Sequence, residues 1–129
     1  MEHLISVFVY GTLMTGESNH HVTAPYLLSA EPGAVRGILC DYGPYPALIL
    51  QGDGLVCGEW FTVSEEGLAA MDELEDYFGP GRSNLYDRVW IQDALMSGRE
   101  GWVYVWEEPR GCPVIEGGSW SIHRNKKRV

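Results

Sequence analysis

Basic side chains are scarce in this sequence. Nine lysines and arginines stand against 18 aspartates and glutamates, for a formal charge of −9. That balance argues against a nucleic-acid partner, since a phosphate backbone demands a net basic face. Cysteine is scarce as well: Cys40, Cys57 and Cys112 are an odd number with no CxxC spacing. They read as reduced, mostly buried thiols of a cytoplasmic protein. No apolar run approaches the roughly 18 residues of a membrane-spanning helix. The opening residues, Met1-Glu2-His3-Leu4-Ile5-Ser6, lack a basic segment and a long apolar one, so no signal peptide is expected. His20 and His21 are adjacent and face different ways, with no HxxxH or Cys/His spacing, so no metal site is expected. GxSxG is missing, which leaves a serine hydrolase of that type unsupported. Gly52-Asp53-Gly54 with Gly58 superficially resembles a phosphate loop. The residues after it read as strand rather than helix, so dinucleotide binding fails its context test.

The residues that are plentiful suit one domain. The 129 residues are 45% apolar and 12% aromatic, enough for a packed core rather than disorder. Sixteen glycines and seven prolines, spread along the chain, imply many tight turns and short strands. Strands are expected at Leu4 to Tyr10, Ala34 to Cys40, Ala47 to Leu50, Leu55 to Val63, Leu85 to Gln92 and Gly101 to Trp106. Gln51-Gly52-Asp53-Gly54 looks like a hairpin turn, and Pro25 limits any helix between Met14 and Leu28. Ser64 is placed to cap one helix running to about Asp76, with Glu65 and Glu66 in its first turn. The expected fold is α+β: a small mixed, mostly antiparallel β-barrel, closed or nearly so, with one main packed helix. The domain would span residues 1–120, with 121–129 as a basic C-terminal tail. His123-Arg124-Asn125-Lys126-Lys127-Arg128 reads as a solvated frayed tail, the alternative being a contact site for an anionic partner.

Within the helix, one carboxylate lies on the wrong face. At about 100° per residue, Leu68, Met71 and Leu74 share an apolar arc, and Glu75 falls inside it. Glu73 points the opposite way, with Asp72 and Asp76 at the margin. A carboxylate directed at a core must be paired, hydrogen-bonded or protonated. Desolvation would raise its pKa toward the range a general acid–base needs. The plainer alternative is that Glu75 swings out to water or pairs with Arg82 or Arg88. A second feature is the strand end at Val9-Tyr10-Gly11-Thr12-Leu13-Met14, where a break at Gly11 can offer successive backbone N–H groups to one anion. An ordinary strand-end turn is the competing reading there. Glu59 with Glu75 could be imagined as a glycosidase pair, but the sequence supplies no separation.

Together these segments resemble the gamma-glutamylcyclotransferase-like family of small barrel enzymes. Tyr10-Gly11-Thr12-Leu13 resembles its YG(S/T)L loop, followed by Gly16 and Asn19-His20 as in bacterial members. Tyr45-Pro46-Ala47-Leu48 is similar to its YPA segment, and Val56-Cys57-Gly58-Glu59-Trp60 to its VxGExY/W strand. Met71-Asp72-Glu73-Leu74-Glu75-Asp76-Tyr77 resembles its LDxLEGY helix end, Tyr86-Asp87-Arg88-Val89 its YxRxxV strand, and Ile115-Glu116-Gly117-Gly118-Ser119-Trp120 its IxxGxW ending. Two departures stand out. Met71 for Leu conserves volume. Asp76 replaces a glycine, changing backbone freedom and adding a charge beside Glu75; the loop 78–84 is also longer than usual.

The resemblance implies cyclisation of a gamma-glutamyl amide to 5-oxoproline with release of an amine, and no cofactor. It makes Glu75 the general acid–base, with Gly11, Thr12 and Leu13 holding the glutamyl end, Tyr86 positioning the substrate and Tyr10 walling the pocket. The implied partner is a small gamma-glutamyl substrate. Alternatives are a non-catalytic small-ligand-binding barrel, or gamma-glutamyl deprotection of a biosynthetic intermediate. The leaving amine and the oligomeric state are not legible in the sequence.

Overall fold

A computed structural model of the chain describes residues 3–95 and 97–126. The elements run β1 (Ile5–Val9), β2 (Leu27–Arg36), β3 (Ile38–Asp41), β4 (Pro46–Ile49), β5 (Leu55–Val63), α1 (Glu65–Leu74), β6 (Asp87–Gln92), β7 (Glu100–Val105) and α2 (Trp120–Lys126). β1 pairs antiparallel with β5 and parallel with β7, at the centre of a five-stranded sheet ordered β2-β5-β1-β7-β6. Flanked on both edges, it can be apolar on both faces, and Val7, Phe8 and Val9 are all buried. β3 and β4 form a separate hairpin, turned by Tyr42 N–H donating to the Tyr45 carbonyl at 2.9 Å.

Backbone bonds tie that hairpin to the sheet. Trp106 N–H donates to the Leu48 carbonyl at 2.9 Å, and Gly37 N–H to the Gly54 carbonyl at 2.9 Å. Among the described residues no continuous ladder closes the sheet, so the fold is mixed, mainly antiparallel α+β, and the expected barrel is a loose one. Trp60, Phe61, Leu39, Leu48 and Met71 fill the space between sheet, hairpin and α1.

Several expectations need correction. The strand expected from Ala34 to Cys40 breaks at Gly37 into the end of β2 and β3, and β2 begins at Leu27. Glu31-Pro32-Gly33 hid its first half. Proline is tolerated because β2 is an edge strand, paired only with β5. Gln51 to Gly54 joins no hairpin: β4 pairs with β3, while β1 and β2 take both edges of β5. Turn chemistry is local, and the choice of partner is not. Of the three thiols only Cys40 is buried; Cys112 is half-buried and Cys57 is exposed.

The frayed tail fails for its first residues, which form α2. Arg124 Nε and Nη2 donate to Glu17 Oε1 and Oε2 at 2.8 and 3.0 Å, and His123 Nε2 lies 2.9 Å from Asp41 Oδ2. Residues 127–129, the end of the expected tail, lie outside the described residues. Neither helix is long and apolar enough to cross a membrane, among the described residues.

Candidate active site

Glu75 sits where α1 stops. Ser64 starts the helix, its Oγ accepting from Gly67 N–H at 3.3 Å. At the other end Glu75 is the C-cap, and the chain reverses through Asp76 at φ +52°. Asp76 N–H donates to the Glu73 carbonyl (3.3 Å) and Tyr77 N–H to the Asp72 carbonyl (2.9 Å), the bonding pattern of a Schellman motif. Glycine is the usual residue at that left-handed position, and aspartate holds it at a cost of about 1 kcal/mol. The reversal swings Tyr77 and the following loop away and leaves Glu75 facing inward.

The two marginal acids separate cleanly. Asp72 Oδ2 accepts from Arg88 Nη1 at 2.5 Å and Asp72 Oδ1 from the Tyr104 hydroxyl at 2.6 Å. Arg88 itself lies between the Tyr77 and Trp102 rings, 4.9 and 4.7 Å from their centroids. Arg88 is thereby committed elsewhere. Among the described residues the Glu75 carboxylate accepts no hydrogen bond and pairs with neither Arg82 nor Arg88. Burial, and then the Asp76 carboxylate, push its pKa from 4.5 up to about 7. The negative end of the helix dipole acts in the same direction.

Opposite Glu75 runs the segment after β1. Gly11, Thr12 and Leu13 are buried and line the same cavity as Glu75, yet none of their N–H groups donates to a protein acceptor among the described residues. Buried N–H groups seldom go without a partner, so three in succession mark a place for an acceptor. The segment is held by everything except those donors. Asn19 N–H donates to the Thr12 carbonyl at 2.8 Å and Asn19 Nδ2 to Thr12 Oγ1 at 2.9 Å. Thr15 N–H and Oγ1 donate to the two Glu59 oxygens at 2.7 and 3.1 Å, so Glu59 braces the loop and is no partner carboxylate for Glu75. Gly11 is required by close approach: a Cβ there would lie 2.6 Å from Pro46 Cγ.

All six residues expected at the site, Tyr10, Gly11, Thr12, Leu13, Glu75 and Tyr86, line one cavity of about 350 Å³, its open mouth included. Phe8, Val9, Tyr45, Pro46 and Tyr104 complete the lining. Tyr45 and Pro46 had a signal in their motif. Tyr104 had none beyond alternation along its strand. Three of the four tyrosine hydroxyls are already engaged: Tyr10 donates to the Tyr104 carbonyl (2.6 Å) and accepts from Leu48 N–H (3.2 Å), Tyr86 donates to the Pro46 carbonyl (2.8 Å), and Tyr104 donates to Asp72. Burial raises the pKa of Tyr10, Tyr86 and Tyr104, so these three stay neutral walls. No group of three or more metal-ligating side chains occurs among the described residues.

Fold and pocket define a class of small α+β proteins that hold one ionisable carboxylate against a loop of unengaged backbone amides. Residues 7–122 match the family model described as "Gamma-glutamyl cyclotransferase, AIG2-like". A "Gamma-L-glutamyl-butirosin B gamma-glutamyl cyclotransferase" of Niallia circulans is 46% identical over 104 residues, covering 78% of this chain and 66% of that protein. A "Putative gamma-glutamylcyclotransferase" of Vibrio cholerae is 38% identical over 122 residues, 93% of this chain and 96% of its relative. The crystal structure of an AIG2-like protein from Mus musculus superposes with TM-score 0.70 at 26% identity, covering 92% of this chain and 88% of that one. The chain therefore belongs to the gamma-glutamyl cyclotransferase, AIG2-like family of enzymes.

Proposed function

We propose that the chain is a gamma-glutamylcyclotransferase that closes a gamma-glutamyl amide into 5-oxoproline and releases the amine, with Glu75 as its acid–base. The observation that carries this reading is one pairing: an unpartnered carboxylate of pKa about 7 across one cavity from three unpartnered amides. Glu75 takes a proton from the substrate's α-ammonium, freeing its nitrogen to attack the γ-carbonyl carbon. The amides of Gly11, Thr12 and Leu13 receive either the developing oxyanion or the α-carboxylate. As the C–N bond to the leaving group breaks, the leaving nitrogen takes the proton from Glu75. The second ammonium proton departs as the ring nitrogen becomes an amide, and the freed amine picks it up in water. Glu75 is an anion before and after, so the balance closes without a cofactor. Ring closure is intramolecular, and the tyrosine walls have mainly to hold the folded-back conformer. Tyr10 and Tyr86 do so with their rings, since their hydroxyls are committed to the backbone.

Release of a gamma-glutamyl group from a larger aminated molecule is a second reading of the same chemistry, favoured by the 46% identity to the Niallia circulans protein. A panel of gamma-glutamyl amino acids, gamma-glutamyl-lysine isopeptides and gamma-glutamyl polyamines, scored by 5-oxoproline, tests both. Binding without 5-oxoproline from any of them would leave a ligand-binding barrel instead.

A further inference from the structure

The cavity that holds Glu75 adjoins a second chamber of about 560 Å³, its open mouth included, outer in that Tyr42 and Asp76 of its lining are exposed. Thr12, Tyr45, Glu75 and Tyr86 belong to both, and Tyr42, Leu74, Asp76 and Leu85 line the outer one alone. If the glutamyl part occupies the inner cavity, the leaving amine lies in the outer. Three features of that chamber describe its occupant. Tyr42 and Tyr45 keep 42% and 39% of their surface exposed, Tyr42 resting edge-to-face on Trp106 with the ring centroids 4.8 Å apart. Leu74 and Leu85 supply an apolar stretch suited to an alkyl spacer. Asp76 supplies an exposed carboxylate that has no hydrogen-bond or ion-pair partner among the described residues.

The neighbouring cations do not neutralise it. Arg88 is taken by Asp72, and Arg82 does not line the chamber. The Arg110 guanidinium rests 4.2 Å from the centroid of the Trp106 ring and donates to the Leu85 carbonyl at 3.4 Å, outside the chamber lining. Aspartate at this left-handed turn gives up glycine's freedom and places an anion beside a base that must itself ionise. Neither serves the fold. Resting on the cyclotransferase reading, we propose that Asp76 is a specificity residue, and that the leaving amine carries a second cationic group on a short alkyl spacer. That group would meet the Asp76 carboxylate and the faces of Tyr42 and Tyr45.

The test compares the γ-glutamyl amides of 1,4-diaminobutane and n-pentylamine, equal in length and differing by one terminal charge. Rates of 5-oxoproline release are measured at pH 8.5, where Glu75 is ionised, in the natural protein and in Asp76→Asn and Asp76→Gly. Any change in Glu75 or in folding acts on both amides and cancels in the ratio of their kcat/KM values. The natural protein should favour the cationic amide about tenfold, and both variants should bring the ratio to within about twofold of one. The preference should also shrink at high salt. Equal turnover of the two amides, or a preference that survives in either variant, overturns the Asp76 assignment and leaves the cyclotransferase reading standing. No 5-oxoproline from either amide overturns both.

Discussion

Replacing Glu75 by Gln should abolish 5-oxoproline release and, at the same time, make the protein more stable above neutral pH. The carboxyl has a pKa of 4.5 when free and about 7 in the folded chain. Between those values the folded state holds a proton that the unfolded state releases, so stability falls as pH rises from about 4.5 to 7. Above pH 7 the folded state carries the full penalty of a desolvated anion beside Asp76. At about 1.4 kcal/mol per pH unit the rise is worth about 3 kcal/mol, an upper figure because the side chain still reaches the pocket mouth. Glutamine is nearly isosteric and carries no charge, so it escapes the penalty at every pH. A gain of 1–3 kcal/mol should raise the melting temperature of a domain this size by roughly 4–12 °C. Melting curves of both proteins at pH 4, 6 and 8.5 would show the gap opening across that window. A gap equally wide at pH 4, or absent at pH 8.5, would refute the burial argument; retained activity would refute the acid–base role.

Because the base must be ionised, kcat/KM should climb with pH through an apparent value near 7, and Asp76→Asn, removing a like charge, should move that limb to lower pH. A limb that stays put would take Asp76 out of the electrostatics of Glu75. Gly11→Ala puts a methyl 2.6 Å from Pro46 Cγ on a ring that cannot yield by rotation. It should destabilise by roughly 1–3 kcal/mol and cut turnover by displacing the Thr12 and Leu13 amides, visible in denaturant titration and 5-oxoproline assay. Asp72→Ala strands Arg88, whose Nε is already buried without a partner, and frees the Tyr104 hydroxyl behind the cavity wall. Urea unfolding should show a loss of roughly 2–4 kcal/mol, far beyond that of the exposed Glu73→Ala, which should be near zero.

The alternation and apolar runs around β1, β5 and β7 were enough to place most strands, because those segments are buried and a buried face imposes its period on the residue types. The helix face was legible for the same reason: Met71 is fully buried and Glu73 exposed, as the wheel required. β2 was half-hidden, since an edge strand tolerates Pro32 and Gly33. α2 escaped altogether, because its place rests on partners remote in sequence. Arg124 and Glu17 are 107 positions apart, and His123 and Asp41 are 82 apart, beyond the reach of any local pattern.

By itself the sequence determined the inventory of the site. It singled out Glu75 as a carboxylate on an apolar face and Gly11 to Leu13 as a turn with amides to offer, properties of residue type and spacing that hold in any chain that forms the helix and the strand. The family resemblance added Asp76 as a charge where the motif has glycine. Only the tertiary structure decided what each one faces. The wheel left Glu75 free to pair with Arg88, and folding gave Arg88 to Asp72 instead, with Tyr104 on the other oxygen. Nothing in the order of residues could announce that, because pairing depends on which strand lies beside α1. Asp76 changed most: a substitution beside Glu75 became the reversing residue of a Schellman turn and an exposed anion at the mouth of an aromatic chamber. A backbone angle and a cavity exist only once the chain has closed around them.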